Sequence, residues 1–179
     1  GHRYGIAIIT DPTPEAAALA ARDIGLFNQN GCLSLQTLYL EDPVTFSPLL
    51  AEALTNFEND YPRGHLSPSD AGAITNLREE IRFLAANDPA NHQLWESPGN
   101  TAWTIIYQNS PDPVPSPGNR TVYLRPLPKN FVHFQHLSGI ALHPFTQGTD
   151  LPSPRIFPPG PTPPPPPPPA PAPPPPPPP

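Results

Sequence analysis

Tyr4-Gly5-Ile6-Ala7-Ile8-Ile9, followed by Thr10-Asp11-Pro12-Thr13-Pro14 and an alanine-rich run from Glu15, sets the architecture. The apolar stretch predicts a strand, and Thr13 before Pro14 predicts a helix start, because a threonine oxygen accepts from the first free N–H groups and proline is tolerated at the first helical position. The helix is expected to run through Leu19, Ile24 and Phe27 and to stop at Asn28-Gln29-Asn30-Gly31, where Asn and Gly accept the left-handed backbone that ends helices. Leu35 to Glu41 reads as the next strand.

Working outward, Phe46 to Tyr61 is expected to be helical, with Leu50, Leu54 and Phe57 on one face, broken by Pro62-Arg63-Gly64. A longer helix starts near Ser67-Pro68-Ser69-Asp70 and ends at Asp88-Pro89. Ile74, Leu77, Ile81 and Leu84 form its apolar stripe, with Arg78, Glu79 and Arg82 on the wet side. From Gln93 the pattern changes to short strands at Leu94-Trp95, Ala102 to Gln108, Arg120 to Arg125 and Phe131 to Gln135, with an exposed loop at Pro111 to Asn119. The order of elements predicts a layered α/β domain over residues 1–142. Prolines at 144, 152, 154, 158 and 159 are expected to interrupt every element in residues 143–160, and residues 161–179 form a low-complexity polyproline tail without the N–H groups that a helix or sheet needs.

Composition narrows the function. The net charge is -6, from 15 acidic and 9 basic residues, and the basic residues are scattered, so no nucleic-acid face is expected. No apolar run approaches the roughly 20 residues of a membrane helix, and the N-terminus lacks the pattern of an export signal. A single cysteine, Cys32, excludes an internal disulfide framework and fits a cytoplasmic location. His133, His136 and His143 have no nearby Cys, Asp or Glu and make a poor ligand set, so no metal is expected. Asp70, Glu79 and Glu80, beside Arg78 and Arg82, read as a solvated ionic face rather than as paired catalytic carboxylates.

Cys32 alone fits two readings, a small buried hydrophobe or a nucleophile. Gly31 leaves the approach to the sulfur open, and a turn next to a helix end can offer N–H groups to a thiolate or an oxyanion. The segment from Ala20 to Ser34, with Gly31-Cys32-Leu33-Ser34 at its end, resembles the nucleophile region of the LuxC-type acyl-CoA reductases. These form the fatty-acid reductase component of bacterial bioluminescence and are relatives of the aldehyde dehydrogenases. Further similarity lies, in the same order, at Leu66-Ser67 and the helix from Asp70 to Arg78, at Trp103-Thr104-Ile105-Ile106-Tyr107, and at Ser116-Pro117 with Arg120-Thr121-Val122-Tyr123.

The resemblance implies that Cys32 attacks a fatty acyl-CoA to form an acyl thioester, with its own N–H as an oxyanion donor, and that NADPH reduces the thioester to an aldehyde. It also implies a fragment. Only 31 residues precede Cys32, the chain contains no methionine and no Gly-x-Gly-x-x-Gly loop, and proline replaces the last section of the family's pattern. The isolated chain is therefore expected to lack the nucleotide-binding half and to be inactive in reduction. The rival reading is a proline-rich interaction protein whose tail binds SH3, WW or profilin-like partners.

Overall fold

A computed structural model describes residues 4–31, 34–128, 137–143 and 156–157, the last two stretches as backbone only. The first strand, β1 (Tyr4–Ile9), leads into α1 (Pro14–Gly25) and then β2 (Leu35–Leu40). Two helices follow, α2 (Pro43–Asp60) and α3 (Pro68–Asn87). The strands β3 (His92–Glu96), β4 (Thr104–Gln108), β5 (Thr121–Pro126), β6 (Leu137–His143) and β7 (Ile156–Phe157) complete one sheet of order β3-β4-β5-β2-β1-β6-β7. Every pairing is parallel except that of β3 with β4. This explains the continuous apolar run of β1, since a parallel strand in the middle of a sheet is covered on both faces.

Alternate residues of a strand face opposite sides, and the two cores follow from this. Ile105, Val122 and Leu124 join α1 and α2 on one face, together with Leu38, Phe46, Leu50 and Leu54. Ile106 and Tyr123 point to the other face and meet Ile81, Leu77 and Leu84 of α3. The register of β1 against β2 slips between Gly5 and Ile6, whose partners are Leu35 and Thr37. The extra residue, Gln36, lets Leu35 share the α1–α2 face with Leu38 and Leu40.

The helix starts are set as the sequence predicts: the Thr13 hydroxyl accepts from Ala16 N–H at 3.1 Å, and the Ser67 hydroxyl accepts from Asp70 N–H at 3.1 Å. Four expectations need correction. Helix α1 ends at Gly25 rather than Phe27, because Phe27, Asn28 and Gln29 all turn left-handed (φ 54°, 50° and 62°), while Asn30 and Gly31 do not. Gly25 is a close-approach position, since a Cβ there would lie 2.1 Å from the Phe57 ring. Helix α2 begins at Pro43, with Asp42 accepting from Thr45 N–H at 3.1 Å, so its start lies before the expected Phe46. Arg78 is buried, not on the wet side, although Glu79 and Arg82 do form an exposed ion pair. The prolines after position 143 do not interrupt every element: β7 pairs with β6 through Ile140–Ile156 and Ala141–Phe157. The strand expected at Phe131 to Gln135 and the polyproline tail lie outside the described residues.

Candidate active site at the edge where the strands begin

In this sheet the residues just before β2, β4 and β5 all meet at one edge, together with the end of β3, which runs the opposite way. Cys32 falls in sequence in the connection into β2 and lies outside the described residues, as do His133 and His136. The flanks of Cys32 are described. Ser34 N–H donates to the Gly31 carbonyl at 3.0 Å, and Gly5 N–H donates to the Ser34 carbonyl at 3.3 Å. A Cβ on Gly31 would stand 3.0 Å from the Ser34 hydroxyl, so a larger residue there would push Ser34 aside.

The edge is rich in buried polar groups that periodicity did not reveal. Gln29, 5 % exposed, donates from Nε2 to the carbonyls of Leu35 (2.7 Å) and Thr121 (2.9 Å) and accepts from Thr121 N–H (2.9 Å). Asn119 N–H donates to the Asn28 carbonyl at 2.9 Å. Asn119 and Arg120 are themselves left-handed, at φ 53° and 63°. Thus all five non-glycine residues with positive φ among those described lie in two abutting segments at this edge. Such conformations persist only where the surroundings hold them, and they cluster at functional sites.

Three arginines brace the loops behind these segments. Arg120, 4 % exposed, pairs with Glu58, donates to the Tyr61 carbonyl at 2.9 Å and lies 5.0 Å over the Phe57 ring. Glu58 also accepts from the backbone N–H of Arg63. The Arg63 guanidinium reaches the Thr101 carbonyl, the Thr101 hydroxyl at 2.9 Å and the Asn119 carbonyl at 3.1 Å. Arg78 donates to the Thr104 hydroxyl (2.9 Å) and to the carbonyls of Asn100 (2.6 Å) and Trp103 (2.8 Å), and its Nε lies 3.3 Å from Glu96. Burial lowers the pKa of all three, and the nearby carboxylates oppose the shift. An arginine starts so far above neutrality that each remains a cation. The fork geometry of guanidinium, with several donors in one plane, is what lets one side chain hold two loops at once.

Of the carboxylates read from the sequence, Asp70 accepts from the Ser67 hydroxyl at 2.7 Å, and Glu79 pairs with Arg82, which also pairs with Glu96 at the end of β3. Among the described residues no cluster of His, Cys, Asp or Glu is arranged to hold a metal, and no helix is long and apolar enough to cross a membrane. A groove of about 620 Å³ opens between α1 and α2, lined in part by Leu26, Leu49, Ala53, Phe57 and Tyr61, and so touches the same edge from outside.

The fold is that of the aldehyde dehydrogenases. The chain superposes on the aldehyde dehydrogenase KauB from Pseudomonas aeruginosa with a TM-score of 0.60 at 14% identity, covering 89% of this chain and 38% of that one. The P. syringae indole-3-acetaldehyde dehydrogenase AldA, in complex with NAD+ and IAA, gives 0.61 at 13% identity with the same coverage. The NADP-dependent glyceraldehyde-3-phosphate dehydrogenase from Bacillus halodurans, complexed with NADP, gives 0.57 at 12%, covering 88% and 38%. The chain therefore spans well under half the length of these enzymes. A search of the curated proteins finds no match. The family model described as acyl-CoA reductase (LuxC) matches residues 1–143, and with the fold in agreement, the chain belongs to the LuxC acyl-CoA reductase family.

Proposed function

We propose that this chain carries the acyl-accepting part of an acyl-CoA reductase, with Cys32 as the nucleophile and a fatty acyl-CoA as the substrate. The observation that supports this most is the braced edge around the Cys32 connection, where strained backbone and buried polar side chains are concentrated inside a family match over residues 1–143. The Cys32 thiolate attacks the thioester carbonyl carbon. A bond forms from Sγ to that carbon, the carbon–sulfur bond to CoA breaks, and CoA leaves as a thiolate. One thioester replaces another, so the exchange needs neither a strong general base nor an outside oxidant or reductant. On this reading residues 1–142 form the partial catalytic domain, residues 143–160 add the end of β6 and strand β7 to its sheet, and residues 161–179 follow it.

Reduction of the acyl group to an aldehyde, with a nicotinamide and in particular NADPH as reductant, belongs to the proposal for the whole enzyme. The described residues do not fit the cofactor's phosphates. The N-terminus of each α-helix is already capped by its own side chain, Thr13, Asp42 or Ser67, and all three carry a carboxylate there, Glu15, Asp42 or Asp70, where a phosphate would be repelled. No hydride step is therefore assigned to them. The proposal is tested by incubating the chain with a radiolabelled long-chain acyl-CoA. Hydroxylamine-labile label on the wild type, absent from Cys32→Ser, is expected, and equal label on both would overturn the assignment.

A further inference from the structure

Gln29 is buried, yet its carboxamide has no apolar reason to be there, and a buried amide is costly unless it is fully bonded. Its partners, two carbonyls and one N–H, fix which end is the NH2 group. One of them, the Leu35 carbonyl, lies six residues further along the chain. The bond thus ties together the two ends of the connection that contains Cys32, and the bonds to Thr121 fasten both ends to the start of β5. Gln29 holds this place with a left-handed backbone, φ 62°, in a turn secured on its other side by the bond from Asn119 N–H to the Asn28 carbonyl.

We propose that Gln29 is a positioning residue for acyl transfer: it ties the two described ends of the Cys32 connection to each other and to the start of β5, and acyl transfer at Cys32 depends on that tie. This rests on the assignment of Cys32 as the acyl acceptor. Acyl transfer demands aligned thiolate, carbonyl and oxyanion donors, whereas alkylation by iodoacetamide asks only for an accessible thiolate. A positioning role therefore separates the two reactions at one sulfur.

The test uses the full chain and two variants. Gln29→Glu keeps the shape but loses both donated bonds, and Gln29→Asn keeps the donors but is too short to reach all three partners. Circular dichroism checks folding, acylation from a long-chain acyl-CoA is timed by mass, and iodoacetamide alkylation is followed across pH. The expected result is a fall in acylation of roughly ten- to a hundredfold, with alkylation and its pH midpoint close to the wild type. An unchanged ratio of the two rates in a folded variant overturns the positioning role and leaves the Cys32 assignment intact. Loss of folding in both variants makes Gln29 a structural residue only, which also overturns it. Wild-type chain that alkylates at Cys32 but never acylates there removes the underlying assignment, and the proposal with it.

Discussion

Beneath α1 and α2 the sheet is held by side chains such as Leu38, Leu50 and Leu124, which have no polar atom to satisfy. At the edge where β2, β4 and β5 begin, Gln29, Arg78 and Arg120 are about as deeply buried, and each is tied by hydrogen bonds to backbone on other elements. The first region gains from area removed from water and tolerates any well-shaped apolar replacement. The second gains geometry: its bonds are directional, and losing one partner strands the others. Left-handed residues and arginine forks are concentrated at this one edge among the described residues.

The sharpest way to break this contrast is at Arg78. Replacing it with methionine keeps much of the apolar stem but removes every donor, leaving the carbonyls of Asn100 and Trp103 and the Glu96 carboxylate without it. Loss of about 3–5 kcal/mol is expected in urea unfolding. On the apolar side, Leu50→Ala should cost about 2–5 kcal/mol through lost burial and a residual cavity. The two differ in what the surviving folded chain does: Leu50→Ala should leave acylation of Cys32 unchanged, and Arg78→Met should slow it. Equal effects on the thiol would erase the distinction between the regions.

Smaller changes sharpen the comparison. Gly25→Ala forces a methyl into the Phe57 ring, which is fixed between Arg120 at 5.0 Å and Tyr61 at 5.1 Å and cannot easily yield. A cost of about 1–3 kcal/mol is expected from overpacking, with a shift in near-ultraviolet dichroism as the aromatic pair moves. Thr13→Ala, which removes a helix cap remote from the edge, should cost about 1 kcal/mol and leave that signal unchanged.

The smallest effect belongs to Asp42, whose carboxylate is held below the ordinary value first by the Thr45 hydroxyl and then by the Thr45 N–H. A depressed folded pKa gives stability that is present above the unfolded pKa of about 4 and is lost as pH falls through the folded value. The advantage of wild type over Asp42→Asn in urea midpoint should therefore shrink on acidification. An advantage that grows instead would contradict the assigned cap.

Much of the apolar region was legible from sequence. The run from Tyr4 to Ile9, the Thr13 and Ser67 caps and the stripe of Ile74, Leu77, Ile81 and Leu84 each follow from local period or chemistry, and each lies where expected. The edge was not legible, because its residues are defined by distant partners. Arg78 flanks the apolar stripe of α3 and reads as solvated until the loop from Ser97 to Trp103 folds its carbonyls over the guanidinium. Gln29 sits in a polar turn that looks like an ordinary helix end; only its bonds to residue 121, 92 positions away, distinguish it. The Asn28-Gln29 and Arg120-Thr121 segments did fall within the family resemblance, and that was the one signal pointing to them. Strand β6 was missed because Leu137 to His143, with Gly139 and Ala141, carries no β-branched or aromatic pattern beyond Ile140.

The central claim, that Cys32 accepts an acyl group, is tested most directly by locating the label. Trypsin releases the peptide from Asp23 to Arg63, which holds the sole cysteine and no other basic residue before its end. After incubation with a long-chain acyl-CoA, the account predicts one added acyl mass on this peptide, removed by hydroxylamine and accompanied by one equivalent of free CoA. An acyl mass on any other peptide, or CoA released without label on this one, would contradict it.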